Sequence, residues 1–148
     1  MNAEKLKLLA KDLTREYPRS PRETLGGYVI AARTLDKCRA SLNGTLGEYK
    51  FGCTLDRQFL SFAGIDATQF RDFVATGASD AEVAGWIEQH GHARLEIIKW
   101  NHRMRELRIS ELPDANQEFL EDYIRQYVPQ HRPVYCWFDV YDLEEKRL

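Results

Sequence analysis

Arg39 is the residue most at odds with its sequence neighbours. The spacing predicts a helix over 28–42, and on its wheel Arg39 points between Leu35, Tyr28 and Ala32, in the middle of the apolar arc. A guanidinium does not shed its proton to avoid desolvation, so there it needs a carboxylate, carbonyl oxygens or an anionic ligand. Asp36, three residues earlier on the edge of the arc, is the nearest candidate partner. Two readings stay open. Arg39 is either structural, ion-paired or snorkelling past the helix end at Gly44, or part of a buried anion clamp.

The rest of such a clamp would come from the run PRSPRETLGGY, which puts Arg19, Arg22 and a Gly26-Gly27 turn directly ahead of the helix. Helix N-termini favour anions, glycine lets a ligand reach the backbone, and arginine grips carboxylate or phosphate bidentately. No GKS/T follows, so this is neither a phosphate loop nor a dinucleotide fingerprint. Arginines flanking prolines are also often simply solvated.

For proton transfer the candidates are Glu48 and Tyr49 in GEYKFGCTLD, with Cys53 and Asp56 beside them. Cys53 precedes a predicted helix start, although most lone cysteines are core fillers. His90, His92, Glu96 and His102 invite a metal reading, and His92 and Glu96 stand one helical turn apart. Against it, His90 and His92 straddle Gly91, and His102 falls on another face. No metal and no cofactor are expected.

The elements that must position these residues are mostly helical. A short helix over 3–13 leads into an extended loop broken by Pro18 and Pro21. After the helix over 28–42, stopped by Asn43-Gly44, the stretch 45–53 reads as a short strand pair or an ordered loop. Three well-punctuated short helices follow: 55–63 closed by Gly64, 66–76 capped by Asp66 with Gln69, and 79–90 opened by Ser79 with Glu82. A longer helix over 93–109 has Ile97, Trp100, Met104 and Leu107 inward and Lys99, Arg103, Arg105 and Arg108 outward. Asp114 opens another helix, ended by Pro129. The tail is ambiguous between a strand and a last helix capped by Asp139. The fold class expected is mainly α: one compact domain over 1–148, of about seven or eight short helices, with room for a minor β-hairpin.

The chain has 148 residues and a formal net charge of −2, which argues against a nucleic-acid partner. Three scattered cysteines without metal spacing fit free thiols in a reducing compartment. No apolar run has membrane-crossing length, so a cytoplasmic protein with no membrane partner is expected.

Taken together, PRSPRETLGGYVIAARTLDKCRASLNGTLGEY, LDRQFLSFAGI, VATGASDAEV and the closing WFDVYDLEE resemble the bacterial domain of unknown function family 5069. The likeness runs from Leu13 to about Glu145. It implies a small stand-alone bacterial protein and no known activity. The family's motif-rich stretches fall here at Arg19 and Arg22, at Asp36, Lys37 and Arg39, and at Glu48 and Tyr49. Thr54 departs from the pattern, since related sequences often carry proline after the cysteine.

The function these observations favour is binding of a small carboxylate or phosphate. Arg19, Arg22, Lys37 and Arg39 would hold it, Asp36 would orient Arg39, and Glu48 or Tyr49 would move a proton if the protein is a cofactor-independent enzyme. The rivals are a non-catalytic protein–protein interaction module with a basic N-terminal third and, less favoured, an RNA contact through the basic helix.

Overall fold

The computed structural model describes residues 2–148. Among them are eight α-helices, one 3-10 turn and a single two-stranded hairpin, so the chain is mainly α. Their contacts group into two units, Met1–Ile98 and Lys99–Leu148.

In the first unit, α1 (Ala3–Leu9) is followed by a bent loop and a hairpin of β1 (Thr24–Leu25) and β2 (Tyr28–Val29). The strands pair antiparallel, Thr24 with Val29 and Leu25 with Tyr28, around Gly26 and Gly27 at φ +60° and +88°. Two left-handed residues in a two-residue turn match the right-handed strand twist, and Gly-Gly adopts them without strain. The minor hairpin therefore lies here. The stretch 45–53, where a strand pair was one expectation, is a series of turns.

Ile30 joins the hairpin to α2 (Ala31–Asn43) at φ +73°, an outlier for a β-branched residue. Its N–H donates to the Pro21 carbonyl at 2.8 Å and its side chain is fully buried, interactions that offset a strain of about 1–3 kcal/mol. The helix expected from Tyr28 thus starts at Ala31, because Tyr28 and Val29 are claimed by the strand. Gly44 stops it in the left-handed conformation, as expected.

Around α2 pack α1, β1, α3 (Thr54–Ala63) and α4 (Ala67–Val74), so every residue from Ala31 to Ala40 is buried. A helix buried all round is ordinarily apolar; this one carries Arg33, Asp36, Lys37 and Arg39 into the interior. The rest of the core is aromatic. Tyr28, Phe59 and Phe70 meet edge to face, and Phe73 stacks on Trp86 of α5 (Asp80–Glu88). Each fully buried Phe contributes about 1.5–3 kcal/mol. Asp66 caps α4, and Ser79 with Glu82 forms the expected capping box on α5.

Helix α6 (Arg94–Glu106) begins in the first unit and continues into the second. It ends sooner than expected because the chain turns into paired backbone: Trp137 donates to the Leu107 carbonyl and Ile109 to that of Tyr135. After a 3-10 turn (Ile109–Glu111) come α7 (Asp114–Tyr127) and α8 (Trp137–Glu144). The tail is thus helical. Cys136 takes the N-cap, and Asp139 stands at the third helical position, accepting from the Cys136 N–H. No helix among the described residues is long and apolar enough to cross a membrane.

Candidate functional site

Asp36 captures the loop before the hairpin. Its carboxylate accepts the backbone N–H of Arg19 at 2.8 Å and the Arg19 Nε and Nη2 at 3.1 and 3.0 Å. Lys11 Nζ stands 3.8 Å away. Arg19 Nη1 then reaches Asp80, the first residue of α5, at 2.9 Å. The other oxygen of Asp80 accepts from Arg39 Nη1 at 2.8 Å, while Arg39 Nη2 donates to the Ala78 carbonyl. Arg39 is only 3 % exposed, and its Nε is buried without a hydrogen-bond partner.

Arg39 is therefore withdrawn from water and compensated from elsewhere in the fold. The expected orientation by Asp36 is corrected: Asp36 serves Arg19, and Asp80 serves Arg39. Side chains on a helix lean toward its N-terminus, which turns Asp36 back onto the loop, while Arg39 lies a turn further on and meets α5.

Burial raises the Asp80 pKa, but hydrogen bonds and charge from Arg39 and Arg19 outweigh it and hold the group below its ordinary value of 3.8. Burial works against the Arg19 cation too, and Asp36 more than restores it. Because the folded Asp80 value lies below the unfolded one, its contribution to stability is complete above the unfolded pKa. It is lost as pH falls through the folded value. Acid unfolding of Asp80→Asn should consequently show a shallower loss than wild type below about pH 4, measured by circular dichroism.

Lys37 faces a different group. Its Nζ lies 3.0 Å from Asp56 and 3.1 Å from the Cys53 sulfur. Asp56, fully buried, also accepts from Thr34 Oγ1 and the Gly52 N–H, both at 2.8 Å. Arg33 Nη1 donates to the Arg19 carbonyl, and its guanidinium sits 5.6 Å from the centre of the Tyr49 ring. Arg22 is half-buried, its N–H donating to Ser20 Oγ. Glu48 is exposed, beside Gly47 in a turn. Arg19, Asp36 and Arg39 are thus brought together. Lys37 and Glu48 are not among them, and Tyr49 lies beside Arg33.

A cavity of about 430 Å³ opens between the hairpin turn, the end of α5 and the start of α6. Gly26, Gly27, Tyr28, Glu88, His90, His92 and Arg94 line it, with Ile97 and Ile98 as an apolar wall. Glycine is required at the turn. A Cβ on Gly26 would press the Ala84 carbonyl at 3.2 Å, whereas one on Gly27 would meet only Ile97, at 4.0 Å. His90 Nδ1 lies 2.9 Å from the Trp86 carbonyl, an acceptor, so it carries the proton and Nε2 is left to accept one. His92 stacks on Phe62 with rings 4.1 Å apart, its nitrogens facing Glu96 and the Phe62 carbonyl.

Sequence reasoning passed over His90 and Arg94 as neighbours lining one cavity. The one signal was the His90/His92/Glu96 grouping, weighed there for a metal. In the fold His92 and Glu96 pair with each other, and among the described residues no group of three or more His, Cys, Asp or Glu is placed to hold a metal ion.

With a central helix that carries buried charges, a glycine hairpin and a histidine-bearing cavity, this is a small, mainly helical protein. The chain belongs to the family described as Domain of unknown function (DUF5069), whose model matches residues 15–147. No curated protein matches it.

Proposed function

We propose that this protein binds a small anionic organic molecule in the cavity beside the Gly26-Gly27 turn. The observation that carries the reading is a concavity of about 430 Å³ whose lining brings the exposed Arg94, His90 with its open Nε2 and the two turn glycines together beside Ile97 and Ile98, with Glu88 the one carboxylate among them. Ligand pockets commonly measure about 300–1,000 Å³. Arg94 would pair with a carboxylate or phosphate, and Ile97 and Ile98 would cover the carbon skeleton. His90 Nε2 could exchange a proton with the ligand, which is what a cofactor-independent enzyme would need.

Arg19, Asp36, Arg39 and Asp80 act here as positioning residues, fixing the loop and α5 on either side of the hairpin. A second reading keeps them in contact with the ligand, on one observation: the carboxylate joining Arg19 and Arg39 belongs to a half-exposed side chain, Asp80, which a ligand carboxylate could displace. A docking module is less well supported, because Arg39 is drawn inward rather than spread on an exposed patch.

A thermal-shift screen of small carboxylates and phosphates tests this. A ligand at one hundred times its Kd adds about 2.7 kcal/mol, a Tm rise of roughly 5–10 °C for a chain this long. The rise should vanish in Arg94→Gln and shrink in His90→Gln, and persist in Glu48→Gln. No rise with any compound, or one that survives both cavity substitutions, would overturn the cavity reading. A rise lost only on Arg39→Met would favour the second.

A further inference from the structure

Cys53 and Lys37 stand apart from the cavity, and the function proposed above makes no use of them. Lys37 is 3 % exposed, yet one hydrogen of its buried ammonium is directed at a sulfur, 3.1 Å away. Asp56 takes another at 3.0 Å and is itself anchored by Thr34 and the Gly52 N–H, so the lysine head is fixed in place. Cys53 is half-buried at the N-cap of α3, within reach of a small oxidant. Nitrogen and sulfur are thus held in contact before any chemistry begins, which removes the entropic cost of bringing them together.

We propose that Cys53 and Lys37 form a redox modification site, in which a hydroperoxide oxidises the thiol and the lysine captures the product as an intrachain sulfur–nitrogen link. In the first step the sulfur takes the distal peroxide oxygen as the O–O bond breaks, and the thiol proton ends on the departing alcohol or water. Sulfur loses two electrons and the peroxide gains them, giving a sulfenic acid. In the second step the Lys37 nitrogen, having passed one proton to the Asp56 carboxylate beside it, attacks that sulfur. The N–S bond forms, the S–O bond breaks, and hydroxide leaves with a second amine proton as water. One peroxide is consumed and the protein loses two hydrogens overall.

Cys38 supplies an internal contrast. It is fully buried, and burial pushes its thiol up to about 12, leaving almost no reactive thiolate at neutral pH. The lysine also gives the link a purpose: capture before a second peroxide arrives keeps Cys53 from the irreversible sulfinic acid.

The test is mass spectrometry of the full-length protein treated with hydrogen peroxide. The expected product is lighter by about 2 Da, maps to one joined peptide pair containing Lys37 and Cys53, and reverts with dithiothreitol. It should be absent from Cys53→Ser and retained in Cys38→Ala. In Lys37→Arg, which keeps the charge but offers no nucleophilic amine, Cys53 should instead gain two oxygens, about 32 Da. The peptide map of wild type decides the matter even if Lys37→Arg folds poorly. Gain of two oxygens at Cys53 in wild type, a disulfide to Cys38 or Cys136, or an unreacted Cys53 would each overturn the proposal.

Discussion

Asp36→Ala is expected to lower the unfolding free energy by about 3–5 kcal/mol, enough to endanger a domain whose total stability is about 5–15 kcal/mol. The carboxylate is 3 % exposed and accepts three hydrogen bonds from one residue, Arg19, including its backbone N–H. Removing it deprives a half-buried guanidinium of its main partner and releases the loop that leads into the hairpin. Two penalties therefore coincide: an uncompensated charge and the lost anchor of a chain segment. Urea titration should register the loss directly, with the midpoint shifted and the slope unchanged. Asp36→Asn should cost less, since an amide oxygen still accepts from the backbone. A loss below about 1 kcal/mol for the alanine variant would mean that the ion pair does not hold the loop.

Asp56→Ala is the second substitution expected to be severe, again by about 3–5 kcal/mol. Asp56 is wholly buried, and three donors depend on it: Lys37 Nζ, Thr34 Oγ1 and the Gly52 N–H. Breaking a buried pair from one side leaves the other charge stranded in a medium of low dielectric, whereas replacing both partners with apolar groups is often nearly neutral. The double variant Asp56→Leu with Lys37→Met should accordingly be more stable than Asp56→Ala, although it carries one more substitution. Chemical denaturation of the three proteins checks the order. A double variant no better than Asp56→Ala would show that Thr34 and Gly52, rather than the lysine, account for the loss.

Much of this architecture was legible in the residues because it is written in local chemistry. The capping box at Ser79 and Glu82, the Asp66 cap and the Gly44 and Gly64 stops depend on neighbours a few positions away, and each falls where its sequence places it. The burial of Arg39 was legible too, since its angular position on α2 follows from helical geometry alone. Its partner was not. Asp80 lies 41 residues further on, and no local rule reports a contact of that span.

The position of the hairpin was not legible, for a different reason. Its strands are two residues each, too short to display an alternating pattern, and the only mark left is the Gly-Gly turn itself. Read as a loop ahead of a helix, that turn drew attention to a segment that borders the cavity, although its hairpin went unread. The cavity is assembled from three stretches, the hairpin, the end of α5 and the start of α6, and none of them carries a motif that points to the others. Glu48 and Tyr49 attracted attention by their glycine-bounded spacing, yet in the fold Glu48 faces solvent and Tyr49 lies beside Arg33.

A ligand seat beside the hairpin turn would be visible in two-dimensional amide spectra of the labelled protein, titrated with whichever small carboxylate or phosphate raises its melting temperature. Saturable shifts are expected at Gly26, Gly27, His90 and Arg94, with the amides of Arg19, Arg39 and Asp80 largely unmoved. Shifts centred on those last three, or spread without saturation over the surface, would contradict such a seat.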